Sequence, residues 1–170
     1  MKIRNLVKAT FSASIACFIA INAQRVNAQT PSIIYAPNWG GLCLDISNAD
    51  GKGPRSGAPV LAFTCSGNNN QLFQRLSNGN IYAPLWGGLC LDISNADGKG
   101  PRSGAPVLAF TCNGGNNQIF QRFPDASIRA PLWGGLCLDI SNADGKGPRS
   151  GAPVLAFTCN GGNNQKWVGE

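Results

Sequence analysis

The sequence contains no histidine, so neither a Ser-His-Asp nor a Cys-His relay can be built from it. The groups left to act are carboxylates, amides, rings and cysteines. An aspartate follows a Cys-Leu pair at Asp45, Asp92 and Asp139, and a phenylalanine stands two residues before a cysteine at Phe63, Phe110 and Phe157. An ionised carboxylate only accepts hydrogen bonds and suits a pair of hydroxyl donors, while a ring face complements C–H surface. The same residues are poor material for hydrolysis. A glycosidase needs two well-placed carboxylates, and the single candidate pair repeated in every copy, exemplified by Asp45 and Asp50, has no sign of a cleft around it. Cysteines far apart with no histidine nearby are poor zinc ligands, and Asn48 with Asp50 lacks the ligand spacing of a calcium loop. The residues therefore predict a binding surface, with no enzymatic activity, no metal and no cofactor.

Such a surface needs a frame, and the frame is repeated. The run from Trp39 to Cys65, WGGLCLDISNADGKGPRSGAPVLAFTC, recurs unchanged as Trp86 to Cys112 and as Trp133 to Cys159, 47 residues apart each time. This divides the chain into repeats 34–80, 81–127 and 128–170. Few charges and abundant Gly, Pro and Asn favour short strands joined by tight turns. In the first repeat the pattern predicts strands over Ile34–Ala36, Leu42–Ser47, Ala58–Cys65 and Gln71–Leu76, with a turn at Trp39-Gly40-Gly41 and a polar loop over 48–57. A unit this small cannot bury both faces alone, so the copies must close on one another. Four-stranded units also build propellers, but those usually need about four or more blades. Three such units match an all-β fold, the β-trefoil, a barrel capped by three hairpins.

Residues 1–28 read as a secretory signal peptide. Lys2, Arg4 and Lys8 supply the positive region, Ala9 to Ile21 the apolar run, and Val26-Asn27-Ala28 a cleavage site before Gln29, with Ala23 as an alternative cut. The apolar run is too short to span a bilayer comfortably. The mature domain would be 29–170, extracellular or periplasmic. Losing the leader removes Cys17 and leaves ten basic against eight acidic residues, so the net charge falls from +6 to about +2. The basicity belongs largely to the leader and points to neither a nucleic-acid partner nor membrane insertion.

Six cysteines remain in the mature chain, and a secreted chain is expected to oxidise them. Equivalence of the copies selects Cys43–Cys65, Cys90–Cys112 and Cys137–Cys159. Each closed loop contributes about 3 kcal/mol on the chain-entropy model. If the second and third strands pair antiparallel and the bridge joins facing residues, Asp45 faces Phe63, Asp92 faces Phe110 and Asp139 faces Phe157. Alternation then puts Cys43, Asp45, Phe63 and Cys65 on one face and turns Leu44 and Ile46 to the core.

The segments Gly-Leu-Cys-Leu-Asp-Ile, Val-Leu-Ala-Phe-Thr-Cys and Asn-Gly-Gly-Asn-Asn-Gln-Lys-Trp resemble the ricin B-chain type lectin repeat, also found as carbohydrate-binding modules. The resemblance covers all three copies. Its Gln-x-Trp marker stands as Gln165-Lys166-Trp167, with Phe in the Trp place at Gln71-Leu72-Phe73 and Gln118-Ile119-Phe120. It implies that the aspartate accepts from two sugar hydroxyls, the aromatic stacks on the sugar's apolar face and the Asn before the Gln completes the polar contacts. The implied sugar-binding residues are Asp45, Phe63 and Asn70, then Asp92, Phe110 and Asn117, then Asp139, Phe157 and Asn164. Gln71, Gln118, Gln165 and Trp167 would be structural, a buried amide beside a packed ring. Galactose sites of this type often carry Gln where Leu61, Leu108 and Leu155 stand. Near-identical threefold repeats also resemble small lectins for high-mannose glycans, so galactose-type and mannose-type partners both stay open.

Other uses compete for the same residues. Asp45 could brace the turn that follows it, and Phe63 could be plain core. Trp39, Trp86 and Trp133 either cap the barrel or form contacts, and Lys52 with Arg55 fits a solvated face. The β-trefoil also hosts protease inhibitors and interaction factors, so a protein-binding trefoil independent of sugar is the alternative function.

Overall fold

Residues 29–169 are described by a computed structural model; the leader expected at 1–28, with Cys17, lies outside them. Four strands recur in each repeat. They are β1 (Ile34–Ala36), β2 (Leu42–Ile46), β3 (Ala58–Phe63) and β4 (Gln74–Arg75); then β5 (Ile81–Ala83), β6 (Leu89–Ile93), β7 (Ala105–Thr111) and β8 (Gln121–Arg122); then β9 (Ile128–Ala130), β10 (Leu136–Ile140), β11 (Ala152–Phe157) and β12 (Val168–Gly169). The period of two is clearest in β3, where Ala58, Val60 and Ala62 are buried while Pro59 and Phe63 face solvent. The β-branched and aliphatic residues at the inward positions give a strand its buried face.

Each repeat pairs its second and third strands antiparallel, β2 with β3, β6 with β7 and β10 with β11. The third strands also pair with one another, through Ala58 with Ala109, Pro106 with Leu155 and Ala62 with Ala152. Those three pairings join the hairpins into a closed triangle that caps the barrel. The outer pairs are β4–β5, β8–β9 and β12–β1, the last of which joins the C-terminal strand to the first. Leu44, Leu91 and Leu138 fill the interior with Ile46, Ile93 and Ile140, beside the fully buried Phe73, Phe120 and Trp167. This is the β-trefoil, with Trp39, Trp86 and Trp133 half-buried and packed against the same core. Among the described residues no helix is long and apolar enough to cross a membrane.

The three expected disulfides are present, each with a sequence separation of 22 residues. The strand register differs from the one inferred from them. Cys43 faces Phe63 and Asp45 faces Leu61, so the strands are slid by two residues relative to the expected pairing, and the other repeats follow suit with Asp92 opposite Leu108 and Asp139 opposite Leu155. The cause is the position of Cys65. It lies past the end of β3, and the bridge spans Cα atoms 5.1 Å apart from a strand residue to a loop residue, so it does not mark a facing pair. An even slip preserves the face, and Asp45 and Phe63 remain on the same side as diagonal neighbours. The fourth strand also begins later than expected. Asn69–Gln71 forms a single 3₁₀ turn, because the Gln71 side chain is drawn inside, and only Gln74–Arg75 pairs as a strand.

The copies interlock through loops. Trp86 and Gly88 both donate backbone N–H groups to Ala83 O, at 3.1 and 3.2 Å. The glycine between them, Gly87, has φ +68°, and a Cβ there would sit 2.7 Å from Pro54 Cβ in the preceding repeat. Ser56 Oγ in that same loop accepts the Thr111 N–H at 3.1 Å.

Candidate functional site

β2 carries Asp45 on the outward row of the hairpin, yet the loop after β3 folds back over it and leaves the residue only 7% exposed. Gln71, buried in the 3₁₀ turn, donates Nε2–H to Asp45 Oδ2 at 2.8 Å and to Thr64 O at 2.9 Å. Asn70 donates Nδ2–H to the same Oδ2 and to Ile46 O, both at 3.0 Å. All these contacts fall on Oδ2, which leaves Oδ1 to accept from a ligand. Both N–H groups of Asn70 are engaged, so the atom it can offer outward is its Oδ1 acceptor.

The other copies repeat this geometry. Gln118 reaches Asp92 Oδ2 at 2.9 Å and Gln165 reaches Asp139 Oδ2 at 2.8 Å. Asn117 donates to Ile93 O at 3.0 Å, and Asn164 donates to Asp139 Oδ2 at 3.0 Å and Ile140 O at 2.9 Å. Burial pushes the carboxyls of Asp45, Asp92 and Asp139 above the usual range, while the Gln and Asn amides pull each part of the way back.

Beside each carboxylate stands a ring in solvent. Phe63, Phe110 and Phe157 are 44%, 39% and 38% exposed, unusual for so large an apolar group. Each ring and its aspartate line one hollow. The first measures about 510 Å³ and includes Ser47, Asn48, Ala49, Leu61, Asn70 and Gln71 in its lining. Its counterparts measure about 280 and 270 Å³ and contain Asn117 and Asn164 at the place of Asn70. Every residue singled out as sugar-binding in the sequence thus sits in one of three like hollows. Sequence reasoning missed Ser47, Asn48, Ala49 and their copies, whose signal was the Ser-Asn-Ala run after every Asp-Ile.

The residues offered other uses also find places. The turn after Asp45 holds itself, with Asn48 Oδ1 accepting from Gly53 N at 2.8 Å, and Asp50 pairs with Arg55 at 2.6 Å. The indole N–H groups of Trp39, Trp86 and Trp133 are buried without a hydrogen-bond partner among the described residues, whereas Trp167 Nε1 donates to Leu138 O at 3.0 Å. Among the described residues no cluster of three or more His, Cys, Asp or Glu side chains could hold a metal ion.

The arrangement of a recessed acceptor, supporting amides and an exposed ring offers polar acceptors and an apolar platform within one hollow. Solved structures share the frame that carries it. A designed threefold-symmetric protein, ThreeFoil, is 30% identical, with 81% of this chain and 95% of that chain covered at a TM-score of 0.66. The Vibrio vulnificus hemolysin/cytolysin β-trefoil lectin, solved with N-acetyl-D-lactosamine bound, is 16% identical over 82% of this chain and 93% of its own, with a TM-score of 0.64. The C-half of an earthworm R-type lectin, solved with GalNAc, is 22% identical over 82% and 96%, with a TM-score of 0.61. No curated protein matches the sequence. The model of the family described as the ricin-type beta-trefoil lectin domain matches residues 78–170, more than half of the chain, and the chain belongs to that family.

Proposed function

We propose that this chain is a secreted multivalent lectin with three sugar sites, one per repeat. Asp45, Asp92 and Asp139 accept hydrogen bonds from sugar hydroxyls, Phe63, Phe110 and Phe157 stack on the C–H face, and Asn70, Asn117 and Asn164 support through their side-chain oxygens. The observation that carries this reading is the exposure of all three phenylalanine rings, each lining a hollow with a recessed carboxylate. A core role leaves such rings buried. The family and the sugars bound in the neighbouring lectin structures support glycan as the ligand. Leu61 opposite Asp45 supplies an apolar wall, so discrimination among galactose-type and mannose-type sugars falls to the polar side of the hollow. Three sites on one rigid body raise avidity for a clustered glycan by about 10²–10⁴-fold over a single site. Residues 1–28 serve as the leader, and the exported protein begins at Gln29.

The test is a glycan array probed with the mature protein and with the combined Asp45→Asn, Asp92→Asn, Asp139→Asn variant. The wild type gives signal on a defined glycan class and the variant none, with unchanged circular dichroism. Undiminished binding by the triple variant overturns the site. Binding to a protein partner that no monosaccharide competes away favours the sugar-independent trefoil instead.

A further inference from the structure

The three sites are not equal, and the difference has a cause in two residues. After the cysteine that closes each disulfide, the first repeat reads Ser66-Gly67-Asn68, where the others read Asn113-Gly114-Gly115 and Asn160-Gly161-Gly162. In the second and third copies the long Asn side chain folds under its own loop, and its Oδ1 accepts the N–H of Gly115 or Gly162 at 2.8 Å. A Cβ at Gly115 would lie 2.9 Å from Asn113 Oδ1 and 2.6 Å from Asn117 Oδ1. At Gly162 the corresponding gaps are 2.9 and 2.5 Å. A side chain two residues after the Asn would therefore displace both amide oxygens in those loops, and glycine stands there in each.

Ser66 is shorter. Its hydroxyl accepts the Asn68 N–H at 3.3 Å and donates to Gln71 Oε1 at 3.2 Å, and Asn68 carries a side chain where the other copies have glycine. The hollow beside Asp45 is correspondingly about 510 Å³ against 280 and 270 Å³ in the other copies. It also has a neighbour. A second hollow of about 490 Å³ is lined by Asn48, Gly67, Asn68, Asn69, Asn70 and Trp86, and it shares Asn48, Asn68 and Asn70 with the first. Amide side chains both donate and accept, as hydroxyl-rich ligands require, and the Trp86 indole of the next repeat adds an apolar surface.

We propose that the first site binds two consecutive sugar residues, one against Asp45 and Phe63 and the next in the Asn68–Trp86 hollow, whereas the second and third sites hold a single terminal sugar. This rests on the lectin reading above. The substrate class of the first site is thus an oligosaccharide, and the chain combines one extended site with two terminal-sugar sites.

The experiment uses two forms of the mature chain, one with only the first site intact (Asp92→Asn with Asp139→Asn) and one with only the others (Asp45→Asn). Each is titrated calorimetrically with methyl galactoside against N-acetyl-D-lactosamine, and with methyl mannoside against α-1,2-mannobiose. The first-site form is expected to prefer the disaccharide of the bound pair by about tenfold, the effect of an added set of hydrogen bonds, while the other form shows no preference. Adding Ser66→Asn with Asn68→Gly to the first-site form installs a loop that the chain already carries twice, and the preference should vanish. An equal disaccharide-to-monosaccharide ratio in both forms, or a preference that survives the loop exchange, overturns the proposal while leaving the lectin reading standing. Absence of binding to all four sugars by both forms, and by the unmutated chain on the array, overturns both.

Discussion

Gln71 Nε2 lies 2.8 Å from Asp45 Oδ2, and the other end of the same amide holds the loop that roofs the site. Gln71 Oε1 accepts from Ser66 N at 2.7 Å and Gly67 N at 3.2 Å, while Nε2 also reaches Thr64 O. One buried amide therefore joins the strand carrying the acceptor to the loop after the ring. Gln118 and Gln165 do the same for Asp92 and Asp139. A buried carboxylate tolerates its place only while such donors are present.

Replacing Gln71 with Leu keeps the bulk and strips every one of those bonds. The expected cost is about 1–3 kcal/mol, the penalty for leaving buried polar groups unpaired, read from urea unfolding. Gln71→Glu places an acceptor against Asp45 Oδ2, so its loss should be larger at neutral pH than under acid, where one carboxyl of the pair is protonated. Equal stability of Gln71→Leu and wild type would show that the amide does not hold the loop.

Acid should separate binding from folding. Asp45, Asp92 and Asp139 have carboxyl pKa values raised above 3.8 by burial, against the pull of the Gln and Asn amides. A raised acid pKa means the folded chain takes up its protons before the unfolded chain does. As pH falls through the raised values, these three groups therefore stabilise the fold, because the cost of burying their charge is relieved. The opposite holds for Asp144, held low by the Arg149 side chain, and for Asp125, held low by Ser127 and then Arg129, whose contributions persist until pH drops below 3.8. As pH falls through the raised values, still above 3.8, sugar binding should fade because the ionised acceptor is lost, while the melting temperature holds. Binding that persists unchanged down to 3.8 would mean that the ionised aspartates do not carry it.

The repeat made most of this readable. Identity of three 27-residue runs fixed the number of units, the twelve strands and the disulfide partners without any three-dimensional information. The cysteines do not reveal the register, because a disulfide constrains Cβ geometry within a few ångströms, which a diagonal pair satisfies as well as a facing one. Alternation still put Asp45 and Phe63 on one face, since parity survives a slip of two. The turn at Asn69–Gln71 was hidden because a buried amide in a short apolar-polar run looks like a strand residue until its partners are known. The inequality of the hollows was written in Ser66 and Asn68, but its meaning depends on where Asn113 Oδ1 folds, and that is tertiary.

Phe63 and Phe73 make a controlled pair ten positions apart, the first 44% exposed and the second 1% exposed. Phe73→Ala empties a packed core and should cost about 3–5 kcal/mol. Phe63→Ala removes no core contact, so its stability change should stay within about 0.5 kcal/mol, the range for surface sites, while affinity at the first site falls. Thermal melts alongside titration of the first-site form check both. A Phe63→Ala chain as unstable as Phe73→Ala would make the ring structural and deprive the site of its platform.

Gly87 and Gly98 share φ +68° and differ in what surrounds them, since a Cβ at Gly98 meets nothing within 4 Å and one at Gly87 meets Pro54 at 2.7 Å. Gly98→Ala should cost only the left-handed strain, about 1–2 kcal/mol. Gly87→Ala should add the clash with the preceding repeat, a further 1–3 kcal/mol or so for forced overpacking. Pro54→Gly removes the opposing atom and its own cost can be measured alone. In a double-mutant cycle it should recover most of the excess at position 87 and none of the loss at 98. Because that contact ties one repeat's loop to the next repeat's turn, a coupling near zero would mean that the repeats are held by the third-strand triangle and the core alone, with the loops passive.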